Sequence, residues 1–155
     1  MIQRVQSVYL FLVFVFAILF AVLPMAHFTL EATGMSLRLL YFRSFFAETA
    51  FSSSWHIILL TITWSVIMLV TVITTFQYKN RLLQIKLGKL NILLHVALTM
   101  LVFFFIDALR GQVIGAEFTY GAAVLFPVIS LIFILMAIKA IKKDEALVRS
   151  ADRFR

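Results

Sequence analysis

The sequence predicts an all-α integral membrane protein: a four-transmembrane-helix bundle with both termini cytoplasmic, a small β-hairpin in the first outer loop and a helical cytoplasmic tail. Three observations carry this expectation. Of 155 residues, 63% are hydrophobic and 14% charged, whereas soluble domains average about 45–50% apolar and about 25% charged. Mean hydropathy is +1.06. Four charge-free intervals meet or approach the roughly 20 residues that cross a hydrocarbon core about 30 Å thick. Finally, the basic residues collect in alternate connecting segments. With no Cys, two Pro and five Gly, a disulfide scaffold, a collagen-like chain and a disordered one are excluded.

The first interval lies between Arg4 and Glu31 and the second between Glu48 and Lys79. The third, between Lys89 and Asp107, is shorter, and the fourth runs from Glu117 to Lys139. The spans are placed near 6–26, 55–77, 90–109 and 120–141, with Asn91 and Asp107 at the two interfaces of the third. The N-terminus has the basic start of a signal peptide, but its apolar run is too long for one and no small-x-small site follows. It is read as an uncleaved first span. Pro127 frees the Ala123 carbonyl, so the fourth span is expected to kink there. Ala123, Ser130 and Ala137, seven residues apart, and the Ala17/Ala21 pair offer close helix contacts. The whole chain, 1–155, reads as one domain.

Orientation follows from Lys and Arg, which are retained on the cytoplasmic side. Eleven of the fourteen fall on one side: Arg4, Lys79, Arg81, Lys86, Lys89, Lys139, Lys142, Lys143, Arg149, Arg153 and Arg155. Arg38, Arg43 and Arg110 fall on the other. The basic surplus is explained by topology and attraction to anionic lipid headgroups, so no nucleic acid partner is expected. Tyr9 and Tyr78 are placed near the inner interface, and Tyr41, Trp55 and Tyr120 near the outer one.

Between the first two spans, residues 28–39 alternate apolar and polar around Thr33-Gly34, the pattern of a β-hairpin. Residues 111–118 of the second outer loop could add a third strand. The inner loop, 79–89, reads as a tight helical hairpin. The tail from Lys139 reads as a helix projecting from the fourth span. Glu145 and Arg149 are spaced i,i+4 on it, and Leu147, Ala151 and Phe154 form an apolar edge to be covered by the inner loop, lipid or a partner.

An ionisable residue deep in a span is by default a functional residue. No Asp, Glu, Lys or Arg lies near the middle of any span, which weighs against a pump or secondary transporter. His27 and His56 sit at the outer ends of the first two spans. A bis-histidine haem site is chemically reasonable there, although both could simply bond to headgroups or loop carbonyls. His95 shares a face with Asn91 and Thr99, and an interhelical hydrogen bond with them accounts for it. With Thr61 and Ser65 these three form a candidate intramembrane polar cluster, which could also line a small-molecule or lipid pocket between spans two and three. The outer carboxylates lack any histidine or metal-ligand spacing to organise them. No catalytic residues, metal or cofactor are assigned, and an enzyme is not expected.

Met1-Ile2-Gln3-Arg4-Val5-Gln6-Ser7-Val8-Tyr9-Leu10, Lys79-Asn80-Arg81, Gln84, Leu90-Asn91 and the tail from Ile141 to Arg155 carry a resemblance. Together they resemble a bacterial family of short four-span inner-membrane proteins catalogued only as a domain of unknown function. The resemblance implies four spans and an inner-membrane location, and it brings no catalytic residues. Its matching stretches all fall on the cytoplasmic face. The expected function is therefore a non-enzymatic accessory or scaffold subunit of an inner-membrane assembly. It would contact another inner-membrane or cytoplasmic protein through Lys79, Arg81, Arg149, Asp152, Arg153 and Phe154. The alternatives are a haem-binding electron-transfer subunit, using His27 and His56, and a small-molecule or lipid-binding membrane protein.

Overall fold

The computed structural model describes residues 5–30, 35–40, 55–78, 80–110 and 116–153. In order these form α1 (Val5–Val22), β1 (Pro24–Leu30), β2 (Met35–Leu40), α2 (Trp55–Phe76), α3 (Arg81–Arg110), β3 (Ala116–Tyr120), a 3₁₀ turn (Ala122–Val124) and α4 (Leu125–Arg153). All four helices are long and apolar enough to cross a membrane, as expected of a multi-pass membrane protein. They form a ring in which each helix packs on the next and α4 closes onto α1.

The buried residues follow one rule on every helix. On α1 they are Gln6, Leu10, Val13, Ala17 and Phe20 with Ala21, and on α3 Gln84, Gly88, Asn91, His95, Leu98, Val102 and Phe105 with Ile106. On α4 they are Pro127, Ser130, Ile134, Ala137 with Ile138, and Ile141. Steps of three and four residues keep a narrow seam facing its neighbours, the spacing of helices that pack at small angles. The outward faces carry Phe11, Ile62, Leu69, Phe104 and Ile132, all more than half exposed. Inside, by contrast, lie Gln6, Thr71, Thr74, Gln84, Asn91, His95 and Ser130. Apolar outside and polar groups turned inward is the arrangement a lipid solvent selects.

Two apolar clusters fill the bundle. One, near the sheet, joins Phe20, Met25, Leu60, Ile67, Leu98, Phe105 and Val124. The other, towards the far end, centres on Val13, Ile134 and Ile138. Phe16 stacks on Phe126 at 5.8 Å and meets Phe133 at 5.5 Å, knitting α1 to α4.

The β-hairpin forms, and the third strand joins it, in the order β2-β1-β3 with both pairings antiparallel. Phe28 faces Leu37 on one side and Phe118 on the other. The register between β1 and β2 slips between Pro24 and Ala26. At that slip the Met25 carbonyl accepts a hydrogen bond from Gly121 N–H at 2.8 Å, which ties the start of β1 to the chain entering α4.

Several boundaries differ from expectation. The first helix stops at Val22 rather than 26, its last bond running from Leu23 N–H to the Leu19 carbonyl. Pro24 disfavours helix at the residue before it and starts β1 instead. The third helix begins at Arg81, so helix runs through the inner loop into the third span, and Asn80 caps it: Asn80 Oδ1 accepts from Leu83 N–H at 3.1 Å, and its carbonyl accepts from Gln84 N–H at 3.0 Å. Asn91 lies within that helix and is buried. The fourth helix begins at Leu125, so Pro127 falls in its first turn. There the missing N–H has no helical partner to lose, and the expected cause of a kink is gone.

Candidate functional site

Two regions hold the polar side chains that the fold places deliberately. The first is a ladder between α2 and α3. Asn91 Nδ2 donates to Thr71 Oγ1 at 2.9 Å across the two helices. Gln84 Nε2 donates to the Thr74 carbonyl at 2.8 Å, in the last turn of α2, where carbonyls run out of helical partners. Thr74 and Thr75 return their hydroxyls to Val70 and Thr71 at 2.6 and 2.9 Å. His95 Nδ1 lies 2.8 Å from the Asn91 carbonyl. A carbonyl only accepts, so Nδ1 carries the proton. Thr99 Oγ1 in turn donates to the His95 carbonyl at 2.8 Å. Gln84 Oε1 and Asn91 Oδ1 remain buried without partners.

Of the five residues expected in an intramembrane cluster, Asn91, His95 and Thr99 thus adjoin one another along α3, but the bonds of His95 and Thr99 run to carbonyls one turn back on the same helix, not between helices as expected, because residues four apart stack on one face. Ser65 does not join them. It is exposed and lines an outward groove with Phe14, Met68 and Val72 between α1 and α2. Thr61 is half-buried on α2. The groups that complete the ladder are Thr71, Thr74 and Gln84. Their signal was the seam spacing itself, since Gln84 and Asn91 are seven residues apart, and Asn91 and His95 four.

The second region is the end of the bundle where α1 starts, α2 turns into α3, and α4 runs out. Arg81 Nη2 stands 3.1 Å from Asp144 Oδ2 as an ion pair, and Nη1 donates to the Asp144 carbonyl at 3.4 Å. The bond joins the α2–α3 turn to α4, so Arg81 is engaged within the protein. Among the described side chains, the last buried one on α4 is Ile141. Beyond it Lys142, Lys143, Leu147 and Val148 are exposed, Leu147 by 60%. Of the other contact candidates, Lys79 and Phe154 lie outside the described residues, as do the side chains of Arg149, Asp152 and Arg153.

The two histidines considered for haem are differently placed. His27 lies on β1, opposite Arg38 of β2 and Thr119 of β3, not at the end of a spanning helix. His56 is the second residue of α2, and its side chain is outside the described residues. Among the described residues, no group of three or more His, Asp or Glu side chains could hold a metal ion.

No curated protein and no solved structure gives a match to this chain. The family model for a domain of unknown function, DUF4293, matches residues 2–154. Four apolar helices, the three-stranded sheet at one end and the helical tail at the other account for most of that stretch. The chain belongs to the DUF4293 family.

Proposed function

We propose that the protein is a non-enzymatic accessory or scaffold subunit of an inner-membrane assembly, with both termini and the α2–α3 turn on the cytoplasmic side. The positive-inside bias supports the orientation. The observation that carries the functional reading is the run of α4 past Ile141, where the described side chains turn exposed or half-buried. From Lys142 to Arg153 it extends about 18 Å as helix, with Leu147 and Val148 exposed beside Lys142 and Lys143. A helix that presents apolar and basic groups together, held at its root by the Arg81–Asp144 pair, suits a protein contact at the membrane surface.

The test is gentle extraction with an affinity tag inserted within residues 41–54, leaving both ends free. Full-length protein is compared with a variant lacking residues 145–155, which keeps Asp144 and its pair. The expected result is a stoichiometric membrane partner that is lost on truncation while the thermal midpoint of the bundle is kept. Equal association of both forms, or a full-length protein that emerges alone and monodisperse, overturns the reading.

A further inference from the structure

Between the start of α1, the start of α3 and the extension of α4 lies a cavity of about 290 Å³. A water's share of liquid volume is about 30 Å³, so the space far exceeds what one trapped solvent molecule needs. Its polar lining is Gln6, Arg81, Lys143 and Asp144. Gln6 is only 2% exposed, and its amide nitrogen has no hydrogen-bond partner. A buried donor left unmade costs about 1–3 kcal/mol, so the site calls for an acceptor.

The charge balance points the same way. Two cations, Arg81 and Lys143, face one carboxylate, and Asp144 occupies one edge of the Arg81 fork. A guanidinium carries five N–H donors, and an ammonium three. What the cavity lacks is a compact anion with several acceptor oxygens, the chemistry that Arg and Lys recognise in phosphates. The remaining walls are apolar. Val5 and Leu147 stand at its edge, 53% and 60% exposed, and Ala140 forms the side towards the bundle. A ligand polar at one end and apolar at the other covers both kinds of surface. The cavity also sits where the charge-free helices end, the depth at which lipid headgroups meet a multi-pass protein, and basic pockets between spanning helices are suited to such headgroups.

We propose that this cavity binds a phosphate group presented by an anionic phospholipid. Gln6, Lys143 and the unengaged edge of Arg81 donate to its oxygens, and Asp144 holds Arg81 in place. Val5 and Leu147 lie along the glycerol and first acyl carbons. The lipid would share Lys143 and Leu147 with the tail surface read above as a protein contact, and a lipid titration of the isolated protein reads the lipid alone.

Native mass spectrometry of the full-length protein in detergent tests it. Phosphatidylglycerol and phosphatidylcholine with matched acyl chains are titrated separately, and inorganic phosphate is used as a competitor. The expected result is an affinity for phosphatidylglycerol about tenfold above that for phosphatidylcholine, the effect of roughly 1.4 kcal/mol. Lys143→Gln and Gln6→Leu are each expected to remove most of that preference. Lys139→Gln, an equal charge change at an exposed position on the same helix outside the cavity, leaves it intact. Equal binding of the two lipids by the unaltered protein overturns the proposal, as does a loss in Lys139→Gln equal to that in Lys143→Gln. Displacement of the lipid by inorganic phosphate at matching concentration assigns the site to free phosphate and overturns the lipid source.

Discussion

A hydrogen atom in place of a side chain decides two contacts in this molecule. A Cβ on Gly121 would fall on the Pro24 carbonyl oxygen, and backbone on both sides leaves nothing flexible to yield. Gly121→Ala is expected to cost about 3 kcal/mol, read as a lowered thermal midpoint in detergent. At Gly88 the obstacle is a side chain, since its Cβ would stand 2.9 Å from Ile138 Cγ1. Gly88→Ala is therefore expected to destabilise the native protein but to stabilise an Ile138→Ala background, where the helix propensity gain of about 1 kcal/mol is no longer opposed. Additive effects in the double variant would exclude the close contact. The bond between Asn91 and Thr71 can be measured in the same way. A double-mutant cycle with Asn91→Leu and Thr71→Val should give a coupling of about 0.6–1.7 kcal/mol, and a coupling of zero would show that the two side chains do not act together. Asn91, His95 and Thr99 were legible in the sequence because polar groups in an apolar run stand out. Their partners were not: α2 carries hydroxyls on several faces, and spacing within one helix does not say which face meets the next.

The elements were read well in number and less well at their ends, and each error has a local cause. Charge marked the limit of the third span, and the helical inner loop carries Lys86 and Lys89 within α3 with exposed side chains, because a helix can leave the hydrocarbon without ending. Asn80 sets the true start. Asn80→Ala should lower stability by about 1 kcal/mol, measured by chemical denaturation in mild detergent, whereas Lys86→Ala should be close to neutral. Pro127 was read as a break within a helix because the 3₁₀ turn at Ala122–Val124 leaves no mark in an apolar sequence. Once the helix begins at Leu125, the same proline becomes a favourable first-turn residue. The hairpin, by contrast, was visible from alternation, and the third strand appeared close to its expected place because Glu117 and Thr119 interrupt apolar neighbours at a period of two.

The folded bundle has a basic end and a sheet end, and the proposed orientation puts them on opposite sides of the membrane. Because the sequence has no cysteine, single substitutions report this without background. Thr119→Cys, exposed on β3, should react with an impermeant maleimide on intact spheroplasts, and Lys142→Cys only after permeabilisation. The reverse pattern would invert the proposed orientation. The cavity at the basic end was invisible to sequence reasoning, since Gln6, Arg81 and Lys143 lie on three different helices and only the folded ring brings them together. The sheet draws on distant parts of the chain as well. Its central strand, β1, is followed closely in the chain by its neighbour β2. Its other edge must wait for β3, more than a hundred residues from the start of the chain, until α2 and α3 have been laid down between them. An open strand edge invites foreign pairing, and synthesis proceeds from the N-terminus. The half-made protein therefore carries an adhesive margin until β3 arrives to cover it.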